Sequence, residues 1–464
     1  MSNGKIIEIA GTTITECVKG DYELYGDNIF STAGKEVHEE GKENGKTHGD
    51  PKGPPVVDAE PIEAKCIVQF RPNAGYNGEY GFDWVRFGDT GVKGDTWYRD
   101  IIGEMAIDKS GNPVFVNQVS KYDLLLRSFK NMVIPWKGKV KGNPYLYTQA
   151  VMTLWEGSTA KLSLKVEMVE KPEKLIIRQR KKSAEEPDYF TFNVTDVTIK
   201  DGKYNLTDFL EISCTQSFDT DQFIDVMAVV GETEVLAGCL TILKNGKAHR
   251  KSVKILFVNI TTAEGSVKLT GEEARIKKYL KQAYVDATVV YAKMDLTKDK
   301  AYNDEMDNGE ANFNTDLRFH ERLYEKFKKQ KIGKKVIGKT YDNYYHIFFT
   351  KKILGNKDGY LLGEVDDIGG DHAIILDVRG VSKTTGTPLN SIISTAAHEF
   401  FHLMGLSHTF LNKSKFVFKK FHTDNVMDYS DIVTKDIPGI YTFKWQWSIV
   451  QSTIAAKKKA RKGK

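Results

Sequence analysis

Residues 398–408 of the chain, HEFFHLMGLSH, place three imidazoles and one glycine at the spacing that a catalytic zinc site requires. Positions four apart on a helix share one face, so His398 and His402 are predicted to bind one metal ion. Gly405 follows one turn later, where a helix can end in a residue with positive φ and the chain can double back. His408 is then predicted to supply the third ligand.

Glu399 lies beside the first histidine and is predicted to be the general base of the same site. A catalytic zinc ion keeps three protein ligands and a water molecule whose pKa falls to about 7, and Glu399 would accept the proton of that water. The short pattern H-E-x-x-H also occurs in amphipathic helices with surface histidines. The further glycine and histidine make this second interpretation the weaker one, because five fixed positions rarely coincide by accident.

A second feature is residues 425–429, Asn-Val-Met-Asp-Tyr, where Met427 is predicted to form an apolar floor beneath the metal. Together the two motifs resemble those of the metzincin metalloproteases, over roughly residues 251–464. The pair Thr409-Phe410 and the turn 427–430 are most similar to the pappalysin or cytophagalysin branch. The resemblance implies Zn²⁺ as cofactor and a role for the Tyr429 hydroxyl near the metal or the tetrahedral intermediate. A packed aromatic residue is the alternative for Tyr429.

The fold predicted from the sequence is multidomain, with a β-rich N-terminal half followed by an α/β metzincin-like catalytic domain. Short alternating segments and a Gly/Pro/Lys-rich stretch predict a β and linker region at 1–58, a candidate docking or delivery segment. Two β-sandwich-like domains are predicted, at 59–172 and at 173–250. The catalytic domain is predicted at 251–464.

Alternating strands and helices are predicted in the C-terminal half. Strands are expected at 253–260, 288–292, 345–349 and 373–378, and helices at 271–284, 317–330 and 389–403. In metzincins the strand nearest the cleft is antiparallel and binds extended substrate through its backbone. By position, residues 373–378 resemble that strand, which favours a polypeptide substrate.

The phrase FRP at 70–72, followed by GFDWVRFGDTG at 81–91, resembles the leading region of effectors linked to type VI secretion. The resemblance implies that residues 1–250 dock on a secretion-machine spike or carrier protein. No Sec-type signal peptide is visible at the N-terminus, so the chain is expected to be made in the cytoplasm and exported by a type VI-like route.

The overall composition excludes several classes of function. The 67 basic and 62 acidic residues among 464 nearly balance, and the net charge of +5 is too small to indicate a nucleic-acid binder. No apolar run approaches the length of a membrane span. The four cysteines are widely separated, which argues against a disulfide framework. The basic run 457–464 is predicted to be a solvated, disordered tail.

The sequence therefore predicts a zinc-dependent endopeptidase that hydrolyses peptide bonds of protein substrates, and that acts as an effector or toxin of a contractile secretion system. One alternative is a non-catalytic structural or docking component of a secretion apparatus with a structural metal site. A zinc hydrolase of a non-protein amide is a further alternative.

Overall fold

A computed structural model describes residues 64–140, 143–307, 319–351, 354–356, 359–376, 395–430 and 437–462. The predictions for residues 1–58 lie outside the described residues. Residues 64–464 form one unit by their internal contacts.

The N-terminal half is built from strands of alternating burial. The strands are β1 (Cys66–Pro72), β2 (Gly81–Asp83), β3 (Ile102–Ile107), β4 (Pro113–Asn117), β5 (Asn131–Val133), β6 (Lys139–Val140), β7 (Asn143–Pro144), β8 (Leu146–Thr148), β9 (Ala150–Thr153), β10 (Thr159–Met168), β11 (Lys174–Gln179), β12 (Phe190–Phe192), β13 (Gly202–Cys214), β14 (Gln222–Val230) and β15 (Thr233–Ile242). Two short helices, α1 (Tyr98–Ile101) and α2 (Val119–Arg127), interrupt them. In β10 the residues Ala160, Leu162, Leu164 and Val166 are fully buried while their neighbours are more exposed, as expected for a strand with one face in the core.

Two sheets of this half pack on one shared core. Their strand orders are β1-β10-β13-β12 and β11-β14-β15-β9-β2. The core between them is formed by residues from Ala64 to Ile242, together with Tyr441 of the C-terminal half. Each sheet contains strands from both sides of position 172. The prediction of two separate β domains at 59–172 and 173–250 is therefore wrong: the segments share their sheets because the pairings are between strands distant in sequence.

The C-terminal half alternates strands and helices. The strands are β16 (Lys251–Thr261), β17 (Val285–Asp295), β18 (Lys331–Ile332), β19 (Lys335–Val336), β20 (Tyr345–Thr350), β21 (Leu354–Asn356), β22 (Gly359–Leu361), β23 (Gly363–Val365), β24 (His372–Leu376) and β25 (Val417–Phe418). The helices are α3 (Glu272–Gln282), α4 (Lys300–Asp307), α5 (Phe319–Lys328), α6 (Thr395–Leu403) and α7 (Lys444–Lys462). The predicted strands and helices are present, with residues 317–318, 377–378 and 389–394 outside the described part.

The main sheet of this half has the order β17-β16-β20-β24-β23. The first four strands are parallel, and β23 pairs antiparallel with β24. The antiparallel strand at the sheet edge is therefore 363–365, and the prediction that 373–378 holds this place is wrong. Residues 372–376 form the parallel strand beside it, which is buried as such strands are.

A segment of the N-terminal half completes the fold of the C-terminal half. Strand β3 pairs antiparallel with β25, with Phe418 opposite Ile102. Tyr98, Ile101 and Leu125 from α1 and α2 lie in the same core as helix α6. The predicted boundary at 250/251 therefore does not separate two cores.

The basic run at the C-terminus differs from the predicted disordered tail, since residues up to Lys462 belong to α7. Lys457 Nζ lies 2.6 Å from Asp371 Oδ1, and Arg461 Nη2 lies 2.9 Å from the same oxygen. These two ion pairs hold the last turns of the helix against the sheet. Within the described residues, none of the helices combines the length and hydropathy needed to cross a bilayer.

Candidate metal centre

Helix α6 carries the first two predicted ligands and ends where the sequence predicts. Gly405 has a φ of +88°, the left-handed conformation that glycine adopts without steric cost. Its N–H donates to His402 O at 2.9 Å, and Leu406 N–H donates to Phe401 O at 3.0 Å. This pair of hydrogen bonds is the Schellman motif, which closes the helix and turns the chain towards His408.

The three predicted ligands converge on one point. His408 Nε2 lies 3.0 Å from His398 Nε2 and 3.1 Å from His402 Nε2. Nitrogens that bind one tetrahedral zinc ion at 2.0–2.1 Å are roughly 3.3 Å apart. Among the described residues, no other group of three His, Cys, Asp or Glu ligand atoms converges in this way.

Backbone carbonyls fix the orientation of two of the rings. His398 Nδ1 lies 2.8 Å from Val426 O, and His402 Nδ1 lies 2.7 Å from Leu406 O. Because a carbonyl oxygen only accepts hydrogen bonds, each ring must hold its proton at Nδ1 and present the lone pair of Nε2 to the site. Lone pairs so close repel one another unless a cation lies between them, so the donor set fits Zn²⁺.

The imidazoles are also held neutral, the form that binds metal. Burial lowers the pKa of His398 and of His402, and the charge of each neighbouring imidazolium adds to the effect at His398. At His408 burial, followed by His402 and Lys420, lowers the pKa to about 3. The lowered pKa values reduce the competition of protons with a metal ion for these nitrogens.

Glu399 lies next to this point but is not a member of the convergent ligand group. Its side chain is buried, and burial followed by the charge of Glu364 raises its pKa to about 8. A divalent cation in the site would lower the pKa of Glu399 and so favour the ionised carboxylate. The structure thus places a carboxyl of strongly perturbed pKa beside the three imidazoles, as a general base requires.

Gly363 of β23 lies directly against this carboxyl. A Cβ built on Gly363 would be 2.7 Å from Glu399 Cγ and 3.0 Å from Glu399 Oε1. Only glycine leaves room for the base in its present place, and the sheet edge and the base are therefore in contact. Sequence analysis missed this residue, because a glycine in a three-residue strand has no periodic signal.

Tyr429 lies beside the third histidine. Its hydroxyl lies 2.9 Å from His408 Nε2. Burial, with the charge of Glu399, raises its pKa to about 12. The phenol therefore stays protonated at neutral pH and can donate a hydrogen bond towards a charge that develops at the metal position.

The turn 425–429 is buried beneath the imidazoles. Met427 is fully buried, and its carbonyl accepts a hydrogen bond from Thr409 N–H at 3.1 Å. Asn425 forms two side-chain hydrogen bonds with Gln446 of α7, at 2.8 and 3.1 Å. These contacts set the position of the turn, and through it the position of Val426 O, the acceptor of His398.

Asp428 organises the loop that leads into this turn, a role that sequence analysis missed. Its Oδ1 accepts from Phe421 N–H at 2.9 Å and from Tyr429 N–H at 2.7 Å. Its Oδ2 accepts from Thr423 N–H at 3.0 Å, the Thr423 hydroxyl at 2.8 Å and the Ser430 hydroxyl at 3.0 Å. The buried carboxylate of Asp428 thereby fixes the backbone of Tyr429 and that of Phe421 and Thr423, which precede the turn.

Arg86, from the phrase at 81–91, is buried under the same turn. Its guanidinium lies between Asp83 and Asp424 at 3.2 Å from each, and 3.3 Å from the ring centroid of Trp84. The backbone carbonyl of Asp424 accepts from Tyr441 N–H, whose own carbonyl accepts from Val426 N–H. This residue connects the β-sandwich to the metal centre, and the sequence offers no local signal for it.

Comparisons with known proteins give little further information. No protein-family model and no curated protein matches the chain. Among solved structures, the chain is similar to the crystal structure of archaemetzincin from Methanopyrus kandleri, with 13% sequence identity and a TM-score of 0.29. The similarity covers 45% of this chain and 98% of the archaemetzincin chain. The case for a metal centre therefore rests on the geometry of His398, His402 and His408.

Proposed function

We propose that the protein is a zinc-dependent endopeptidase that hydrolyses peptide bonds of protein substrates. The observation that carries the proposal is the convergence of three imidazoles, with the Nε2 atoms of His398 and His402 at 3.0 and 3.1 Å from His408 Nε2, beside a buried carboxyl and a tyrosine hydroxyl. A zinc ion bound by these rings would acidify a water molecule and polarise the scissile carbonyl.

The residues around the metal position have separate roles. Glu399 accepts the proton of the attacking water and later delivers it to the leaving amine. Tyr429 donates a hydrogen bond to the oxygen of the scissile carbonyl as negative charge develops there. His398 and His402 keep their orientation through their carbonyl acceptors, so the site is preorganised.

The edge strand β23 supports a polypeptide substrate. In the described part of the sheet, β23 pairs with β24 on one side and is the last strand on the other. An extended peptide that adds to the free edge would be held by main-chain hydrogen bonds. Because Gly363 is in contact with Glu399, such a peptide would run directly past the base.

A purely structural metal site is the rival function. Structural zinc sites fill all four positions with protein ligands, whereas the convergent group here contains three. Glu399 is buried beside the centre without belonging to that group, which favours catalysis.

The more specific expectations from the sequence remain proposals. They are membership of the pappalysin or cytophagalysin branch, docking of residues 1–250 on a carrier protein, and export by a type VI-like route. The segment that carries the secretion resemblance is buried at Phe82, Trp84 and Arg86. These side chains cannot form a docking surface in the folded protein, so a carrier would have to bind elsewhere in the N-terminal half.

The experiment compares wild type with Glu399→Ala on unfolded casein, with metal analysis of both proteins. Wild type should contain about one zinc per chain and cleave casein in a chelator-sensitive manner, whereas Glu399→Ala should keep the zinc and lose cleavage by orders of magnitude. Glu325→Ala, which removes a surface carboxylate from α5, is the control. Undiminished cleavage by Glu399→Ala would remove the assigned base. A zinc-loaded wild type that leaves casein intact would favour a structural site or a non-protein amide substrate.

A further inference from the structure

Lys420 places an unused positive charge at the rim of the metal centre. The residue is exposed and lies in the loop between β25 and the turn 425–429. Its ammonium group is 4.9 Å from the ring centroid of Phe410, 4.7 Å from that of Phe421 and 5.2 Å from that of Tyr429. Cation–π attraction to three rings holds the charge in one place while its N–H donors stay accessible.

The rings that surround Lys420 belong to the site itself. Phe410 stacks on His408 with centroids 4.9 Å apart and planes inclined by 7°. Tyr429 contacts the same imidazole through its hydroxyl. The ammonium is thus one aromatic ring away from a metal ligand and from the proposed oxyanion donor.

The backbone at this position is strained. Phe421 has a φ of +68°, an uncommon conformation for a bulky residue. Its N–H donates to the buried Asp428, and on the other side Lys419 N–H donates to Ile101 O at 2.7 Å. Strain that is maintained by such contacts concentrates at functional sites. Here it accompanies the placement of the Lys420 ammonium against the rings of Phe410, Phe421 and Tyr429.

Lys420 has no carboxylate partner in the described residues, where none of the ion pairs includes it. A cation held by aromatic faces beside a substrate cleft can form a charge-assisted hydrogen bond with a substrate carboxylate. We propose that Lys420 makes the enzyme select peptides with an acidic side chain, Asp or Glu, next to the scissile bond, on the side of the cleft formed by His408 and Tyr429. This inference rests on the proposed endopeptidase function and names its substrate class.

The competing role for Lys420 is general stabilisation of negative charge at the reacting carbonyl. The two roles predict different results. A specificity residue affects only peptides with an acidic residue, whereas a general electrostatic effect lowers kcat for every peptide to the same extent.

The experiment uses the full chain and pairs of quenched fluorescent peptides that differ only in Asp against Asn, or Glu against Gln, at each position flanking the scissile bond. Wild type should cleave the acidic member at one flanking position about tenfold faster in kcat/KM, the size of one charge-assisted hydrogen bond. Lys420→Met should abolish this preference without slowing cleavage of the amide peptides. Lys420→Glu should reverse it, so that the amide member of each pair is cleaved faster than the acidic member.

Two controls separate the effect of Lys420 on specificity from other effects of the substitution. Lys413→Met removes an exposed lysine of the loop that precedes β25 and should retain the preference. Binding of the same peptides to Glu399→Ala protein, measured by fluorescence anisotropy, should show the acidic preference without turnover. This acidic preference should decrease with added salt, because the ion pair between Lys420 and the substrate carboxylate would be partly exposed to solvent.

Cleavage by wild type without any acidic preference would overturn the inference while leaving the proposed function intact. An equal loss on all peptides in Lys420→Met would assign the lysine to charge stabilisation and overturn it as well. Failure of wild type to cleave any peptide or casein, with zinc bound, would contradict the endopeptidase function and the inference together.

Discussion

Arg86 and Asp424 are 338 positions apart in the sequence and form a buried ion pair, with Nη2 at 3.2 Å from Oδ1. The guanidinium is fully buried, and it also neutralises Asp83. Asp83 in turn accepts from Lys444 N–H at 2.8 Å, at the start of α7. One side chain thus links the β-sandwich, the turn beneath the metal and the last helix.

Arg86→Met should destabilise the protein strongly, because it leaves two buried carboxyls without a cation. Removal of one partner of a buried ion pair costs about 3–5 kcal/mol. Urea unfolding followed by tryptophan fluorescence measures the loss. Arg178→Met, which breaks an exposed pair with Glu234, should cost about 1 kcal/mol or less. Equal stabilities for the two variants would show that the buried pair does not hold the halves together.

Asp424 should make the metal-free protein less stable as pH rises. Burial raises its pKa to about 7, against the lowering effect of Arg86, while an unfolded aspartate titrates near about 3.9. Below about pH 4 both states hold the proton, so the group's contribution is fully present. Between these two pKa values the unfolded state releases its proton and the folded state retains it. The free energy of unfolding therefore decreases as the pH rises, until the pH exceeds the pKa of Asp424 in the folded protein.

The pH effect is measured by urea unfolding in chelator at pH 5, 6, 7 and 8. Relative to wild type, Asp424→Asn should gain roughly 2–3 kcal/mol of stability between pH 5 and pH 8, because the amide does not ionise. Asp304→Asn, at an exposed position of α4, should show no such trend. A constant stability difference across the range would mean that Asp424 stays ionised beside Arg86.

Gly363→Ala should impair catalysis while preserving the metal. The new Cβ would meet Glu399 Cγ at 2.7 Å, so the carboxyl must move away from the position of the attacking water. A displacement of about 1 Å can lower the rate about 10²-fold. Zinc content and casein cleavage are measured together. Gly75→Ala is the matched control, since its Cβ would have an ordinary contact of 3.6 Å with Asn73 Nδ2. Normal cleavage by Gly363→Ala would place the base elsewhere.

Asp428→Asn should affect both stability and turnover. The amide nitrogen would face N–H and O–H donors that now share a carboxylate, at a cost of about 1–3 kcal/mol. The loop that holds Tyr429 should loosen, which lowers kcat. Tyr429→Phe should lower kcat with little change in melting temperature, because it removes only the hydroxyl. If Asp428→Asn lost stability but kept the wild-type kcat, the carboxylate would not be needed to position the tyrosine.

The convergence of the three histidines could be predicted because its signal is local. His398, His402, Gly405 and His408 are within eleven residues, and helix geometry alone brings the first two together. Strands β16 and β20 and helix α3 were also predicted, since each has a clear apolar pattern over its own length.

The errors and omissions concern pairings between distant segments. The two predicted β domains share sheets, and β3 pairs with β25 across more than half of the chain. Strand β23 has three residues and begins with glycine, so no periodicity marks it as the sheet edge. Arg86 has the same appearance in the sequence as any other arginine, because its partner Asp424 is set by the fold.

The connection through Arg86 also determines when the site can form during synthesis. Its guanidinium is made early, the histidines late, and α7, whose Gln446 holds the turn, only after them. A nascent chain that has only just exposed its histidines outside the ribosome still lacks this helix. The turn that orients His398 through Val426 O can therefore take its final position only after α7 has been translated.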